Sequence, residues 1–266
     1  NHGVARDPRV RLHANDGRNH LLLHPGPWDV ITCDPVHPLY GSAPLYSLDF
    51  FDLCLERLTP GGVVCQYLPL HRMPEHAFRR AIATFQAAFE DSWVLFGLGH
   101  AMLLGSDRPI ELDWRRWREQ LERHVLHDDL DASALSTPAQ IAALLQLDPT
   151  GCRRVGNGAP STDLHPRLEF LAPAAYQPGL WPSNAKVLVE AYTSPIRRIR
   201  NLPPGMDLEL QRVVAGKRLL LFSLLERSEG NVAGARQWLA QAMQIAGDDP
   251  EIIFYARQLA AETRGR

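Results

Sequence analysis

Asp29-Val30-Ile31-Thr32-Cys33-Asp34-Pro35-Val36-His37-Pro38 joins an apolar run to a proline-bounded loop. Trp28 to Cys33 has the length of a strand, and Pro25-Gly26-Pro27 closes it off on the amino side. Pro35 and Pro38 lack backbone donors and push the residues before them out of helical geometry, so residues 34 to 44 are expected to form a loop. The stretch therefore reads as a buried strand delivering an acid, Asp34, to a loop. In open α/β sheets ligands gather beyond the carboxyl ends of strands, so fold and site are read from the same ten residues.

Working outward, residues 9 to 14 read as a short strand, Asp16-Gly17-Arg18-Asn19 as a turn and residues 18 to 24 as a short helix. Downstream, Ser47 to Leu58 reads as a helix capped by Ser47, with Phe50, Phe51, Cys54, Leu55 and Leu58 at helical spacing. Pro60-Gly61-Gly62 is a turn, Val63 to Leu70 a buried strand and Glu75 to Phe89 an amphipathic helix. Trp93 to Leu98 and Ala101 to Leu104 read as antiparallel strands joined by Gly97-Leu98-Gly99-His100. Strands alternating with helices predict an α/β fold with a largely parallel sheet and a closing antiparallel hairpin.

After Gly105 the pattern changes. Asp113 to His124 and Thr137 to Leu147 read as helices. Residues 148 to 207 read as irregular, broken by a strand-like Arg167 to Phe170. Residues 207 to 228, 231 to 246 and 249 to 262 read as three successive helices. The expected division is a partial Rossmann-like domain over 1–110, a helical and irregular extension over 111–206 and a helical tail over 207–266. The last two helices have the length of one tetratricopeptide unit, with Ala240, Ala246 and Tyr255 where such units pack. A plain helical extension fits them equally well.

The chain has 266 residues, 45% hydrophobic and 22% charged, with a formal net charge of −2, so bulk charge does not point to nucleic acid or an anionic membrane. Arginines crowd locally at Arg115, Arg116 and Arg118 and at Arg197, Arg198 and Arg200. No apolar run approaches the ~20 residues that span a bilayer. A cytoplasmic location is expected, with attachment to a membrane only through a region upstream of Asn1. Cys33, Cys54, Cys65 and Cys152 form no CxxC pair and no zinc-finger spacing, and read as small buried hydrophobes. His124 and His127 beside Asp128 and Asp129 allow a metal site, but a solvated helix end is the favoured reading, and no metal is expected.

Two acids stand at expected strand ends, Asp16 after the first and Asp34 after the second. A carboxylate there accepts hydrogen bonds from an adenine amino group, a ribose hydroxyl or a substrate amine, or serves as a general base. Singly, each is explained as a turn or cap residue. Together they favour a site.

Four blocks, in order, resemble the spermidine synthase (polyamine aminopropyltransferase) family: Asp7-Pro8-Arg9-Val10 leading to Asp16-Gly17-Arg18; Asp29 to Asp34; Pro38 with Leu45-Tyr46 and Phe50-Phe51; and Leu58-Thr59-Pro60-Gly61-Gly62-Val63. The run Ser161 to Phe170 resembles, more loosely, the end of larger bacterial members, some of which carry a helical-repeat tail. The resemblance implies an incomplete methyltransferase-type sheet. It implies decarboxylated S-adenosylmethionine as donor substrate, no tightly bound cofactor, and a polyamine such as putrescine as acceptor. Asp16 and Gly17 would meet the adenine, Asp34 would be the catalytic carboxylate, and His37 and Tyr46 would lie on the acceptor side, in a loop that closes over both substrates. A homodimer, or a protein held by the helical tail, is the further partner expectation.

Two departures qualify this. His37 stands where the family usually has a second acid for the polyamine ammonium, and a histidine cannot supply that charge. The family's Gly-rich turn, its ribose-binding acid and its small amino-terminal β-domain have no counterpart. The sequence is thus expected to start after two central strands, and to bind the donor weakly or not at all by itself. An S-adenosylmethionine-dependent methyltransferase and a non-catalytic scaffold with a partner-binding tail are the competing readings, since fold alone does not choose function.

Overall fold

The computed structural model describes residues 3–35, 41–97, 99–123, 130, 133, 135–171 and 174–264. Trp28–Cys33 is a strand, β1, with the bounds read from its sequence. It follows a short helix, α1 (Gly17–Leu23), whose first turn is closed by the Asp16 carboxylate accepting from the Asn19 amide at 2.8 Å. The loop's later residues, 36–40, lie outside the described residues.

Ser47 caps α2 (Leu48–Arg57) by accepting from the Phe50 amide. β2 (Leu58–Leu68), α3 (Glu75–Ala88), β3 (Trp93–Gly97) and β4 (His100–Ser106) follow. The Pro60-Gly61-Gly62 turn is absorbed into the start of β2. Its register against β1 slips between Trp28 and Val30, and a Cβ on Gly62 would sit 3.0 Å from the Trp28 and Thr59 carbonyl oxygens. Glycine is what lets the two backbones meet there.

The sheet order is β1-β2-β4-β3-β6, with β6 the short strand Leu145–Leu147. Only β1 and β2 run parallel; β2–β4, β4–β3 and β3–β6 are antiparallel. The α/β class and the closing hairpin hold, but a largely parallel sheet does not: the chain supplies one parallel pair and then returns by hairpin. β1 is an edge strand, and Val30 on it is 60% exposed.

Four further sequence expectations are corrected. Residues 9 to 14 form no strand and stay mostly exposed. A strand needs a ladder partner, and the free edge of β1 is not paired with them. Arg167 to Phe170 is not strand-like either: Glu169–Leu171 is a 3-10 turn. Within the irregular region two helices form, Pro149–Val155 and Leu180–Glu190. The helix expected over 137–147 ends at Leu144 and gives way to β6.

In chain order the later helices are α4 (Trp114–Leu121), α5 (Pro138–Leu144), α6 (Pro149–Val155), α7 (Leu180–Glu190), α8 (Met206–Ser228), α9 (Val232–Ala246) and α10 (Pro250–Arg264). A two-residue parallel bridge joins β5 (Leu112–Asp113) to β7 (Ile199–Arg200). Strand alternation sends Val94 and Phe96 to one apolar cluster and Trp93 and Leu95 to another. The first holds α2 and α3, with Phe51 and Phe85 edge to face at 4.9 Å between ring centres. α8 supplies Leu221 to the first cluster, Leu210 and Val213 to the second and Leu220 to a third with α9 and α10. α8 thus presents apolar residues to three neighbouring groups and is the spine of this interior. Among the described residues, no helix is long and apolar enough to cross a membrane.

Candidate active site

Two clefts lie against β1, and both are lined by Thr32 and Cys33. The smaller, about 590 Å³, is bounded by Asp34, Cys65, Tyr67, His71, His100 and Met102. The larger, about 1010 Å³, lies along the exposed face of β1 and reaches Asn15, Gly17 and Arg18 at the start of α1. Parallel pairing of Thr32 with Cys65 and Cys33 with Gln66 brings the carboxyl ends of β1 and β2 side by side. Asp34 therefore leaves the sheet into the smaller cleft, exposed to solvent.

Of the causes that raise the titratable groups in that cleft, burial acts first and the Asp34 charge second. Burial raises the Cys33 thiol to about 11, with the Asp34 charge adding to the rise. Burial and then Asp34 also raise Cys65 and the Tyr67 phenol. These groups stay protonated at neutral pH, which makes the thiols poor nucleophiles there. All four cysteines are free; Cys54 and Cys152 are buried as read from the sequence, whereas Cys33 and Cys65 are only half-buried because they line the cleft. The remaining charge is the exposed carboxylate, which suits a cationic amine. Tyr67 Oη lies 3.1 Å from His100 Nδ1, joining β2 to the start of β4 across the cleft mouth.

Tyr46 is fully buried and lines neither cleft. Its hydroxyl donates to the Tyr67 carbonyl at 2.9 Å, and burial raises its pKa strongly. The same carbonyl accepts from the Nε2 of Gln66, which is wholly buried, at 3.3 Å. Asp16 is exposed and its carboxylate caps α1; its neighbours Asn15 and Gly17 line the larger cleft. His37 lies outside the described residues, as do His124, His127, Asp128 and Asp129. Among the described residues, no group of three His, Cys, Asp or Glu is placed to hold a metal.

Two positioning pairs escaped the sequence reading. Arg18, next to Gly17, donates from Nη1 to Asp163 Oδ1 at 2.9 Å, and the same oxygen accepts from Ser47 at 2.9 Å. Asp163 thus ties α1 to the start of α2. Its carboxyl is held below the usual range, first by the Arg18 hydrogen bond. Asn184 of α7, wholly buried, donates to the Leu70 and Met73 carbonyls at 2.8 and 2.7 Å, pinning the segment that carries His71. Asp163 lies in the Ser161–Phe170 run, which was singled out by resemblance, but its partner stands 145 residues away.

An α/β sheet with an acid at the carboxyl end of its one parallel pair, lining a cleft there, is consistent with a methyltransferase-like fold. Residues 1–92 match the family described as spermine/spermidine synthase domain. The resemblance read from the four blocks is borne out. The chain is 30% identical over 136 residues to a polyamine aminopropyltransferase of Nitrosomonas europaea, covering 47% of this chain and 41% of that protein. It is 42% identical over 64 residues to polyamine aminopropyltransferase 2 of Pseudomonas aeruginosa, 23% of this chain and 18% of that one. It is 31% identical over 85 residues to a spermine synthase of Arabidopsis thaliana, 32% of this chain and 24% of that one. The chain thus spans less than half the length of each of these relatives.

Proposed function

We propose that the chain carries the acceptor half of an aminopropyltransferase site, with decarboxylated S-adenosylmethionine as donor and a polyamine such as putrescine as acceptor. The observation that carries this is the smaller cleft: one exposed carboxylate, Asp34, among thiols and a phenol that stay protonated. A diamine arrives as a cation and must lose a proton before it attacks. Asp34 attracts it, orients it and takes that proton. The amine lone pair forms a bond to the aminopropyl carbon. The bond from that carbon to the sulfonium sulfur breaks, and its electron pair stays on sulfur as a neutral thioether. Tyr46 acts through the Tyr67 carbonyl as a positioning residue, and His37 is assigned to the acceptor side of the loop. Asp16 and Gly17 are assigned to the adenine end of the larger cleft; there the Asp16 carboxylate must serve both the cap and the ligand.

The decisive assay measures aminopropyl transfer by the chain together with whatever its gene encodes before Asn1. Asp34→Asn is expected to lower transfer by about 10²-fold or more, the usual scale for losing a positioned base. Unchanged transfer in Asp34→Asn, or methyl transfer instead, would sink this reading.

Residues 1–266 alone are expected to bind the donor weakly. The larger cleft runs along an edge strand, with Val30 and Trp28 exposed and no Gly-rich turn to cradle the donor. Calorimetry showing tight binding of an S-adenosyl ligand to residues 1–266 would contradict that. We carry the division at 110/111 and 206/207 as one of sequence units with shared packing, since β6 completes the sheet and α8 enters its core. The tetratricopeptide-like reading of α9 and α10 stands as a proposal of the same kind.

A further inference from the structure

A third cleft, about 1020 Å³, lies at the opposite end of β2, bounded there by Pro60, Gly61 and Val63 and by Ser106 at the end of β4. Val63 and Tyr67 are four residues apart on one strand, about 13 Å, so this cleft is separate from the one holding Asp34. Five arginines line it: Arg108, Arg116, Arg197, Arg198 and Arg200. In a chain of net charge −2 that concentration is local, and it is assembled by the fold. Arg108 and Arg116 come from one segment and the other three from a second, some 80 residues on. The β5–β7 bridge, Leu112 with Ile199 and Asp113 with Arg200, clamps the two together.

Two carboxylates share the lining, Asp91 and Glu111, and both are engaged. Asp91 accepts from the Ile110 amide at 2.6 Å, and Glu111 pairs with Arg200 at 2.6 Å. Arg198 pairs with Asp148 at 2.9 Å and lies over the Trp93 ring at 5.5 Å, so its fork is held in place. Arg108 pairs loosely with Asp107 at 3.6 Å. Arg116 and Arg197 are exposed and have no carboxylate in ion-pair range among the described residues. Arg116 also stands in the first turn of α4, whose amino end is capped by Asp113, the carboxylate accepting from the Arg116 amide at 3.0 Å. An anion between the arginines meets the guanidinium forks of Arg116 and Arg197.

We propose that this cleft binds a small anion carrying two or more phosphate groups. Guanidinium forks match phosphate oxygens in pairs, and several forks on two clamped segments suit several phosphates better than one carboxylate. The site is independent of the Asp34 chemistry. The test is isothermal titration of residues 1–266 with inorganic tripolyphosphate. Saturable one-to-one binding is expected, weakened at least tenfold in Arg116→Gln/Arg197→Gln and unchanged in Asp34→Asn. Arg116→Lys/Arg197→Lys, which keeps charge but loses the fork, should fall between. Both altered side chains are exposed, and circular dichroism checks that the fold is retained. No saturable binding at millimolar tripolyphosphate, or equal affinity in the Gln variant, overturns the proposal. So does tighter binding of an acidic peptide such as hepta-glutamate, which would make the cleft a peptide site.

Discussion

Asp34 and Asp163 show how differently two carboxylates serve one region. Asp34 stands exposed at a cleft mouth, where its charge reaches Cys33, Cys65 and Tyr67. Asp163 is committed to Arg18 and Ser47 and keeps α1 against α2. The folded-state pKa of Asp163 is depressed, so its pairing contributes stability above the unfolded carboxyl value near 3.8 and loses it as pH falls through the lower folded value. Both partners are partly exposed, so the effect is small. Asp163→Asn should cost about 1 kcal/mol or less at pH 7. In urea titrations the gap from the parent chain should close in strong acid; a gap that persists there contradicts the ion pair as its source. Asp34 was legible in sequence because it ends a strand and precedes a proline. Asp163 was legible only as part of a resembling run, because its partner is set by tertiary packing.

At the scale of elements, β1, α2, α3 and the hairpin stand close to where periodicity and caps put them. Their signals are local: Ser47 before an apolar helical face, prolines around a strand, glycines between two strands. α6 and α7 were missed for a reason equally local. Pro149 opens α6 and Pro182 lies in the first turn of α7, positions where proline stabilises a helix although the same residue reads as a breaker. α7 matters to the site through Asn184, whose amide holds the Leu70 and Met73 carbonyls. Asn184→Ala leaves both carbonyls buried and unpaired and should cost about 1–3 kcal/mol. Thermal denaturation checks the cost. Faster amide exchange at residues 70–73 distinguishes loss of this anchor from a general loosening; protection unchanged there would remove Asn184 as the anchor.

Across the whole molecule, α8 links all three apolar clusters, and Gly216 lets α9 approach it, since a Cβ there would lie 2.6 Å from the Ala246 side chain. The same helix carries Lys217 into the interior. Its ammonium meets Asp249 at 2.9 Å and Glu251 at 2.5 Å at the start of α10, all three side chains almost wholly buried. Removing the cation leaves two carboxylates without their counter-charge in low dielectric. Lys217→Met should cost about 3–5 kcal/mol. Urea unfolding measures it; a loss under ~1 kcal/mol would mean the carboxylates are otherwise compensated. Adding Glu251→Leu should return part of the loss, because one of the stranded charges is then gone.

The amino-acid sequence by itself determined the α/β class, the strand that ends at Asp34 and the family resemblance, because each rests on residues adjacent in the chain and on periodicity. Tertiary structure alone decided which strands pair, and therefore that the sheet holds one parallel pair and leaves β1 at an edge. It also decided that Tyr46 is buried against the Tyr67 carbonyl, that Asp163 ties α1 to α2, that Asn184 holds the Leu70 and Met73 carbonyls, and that two arginine segments face each other. Those outcomes depend on distances between residues far apart in the chain, and no local propensity encodes them.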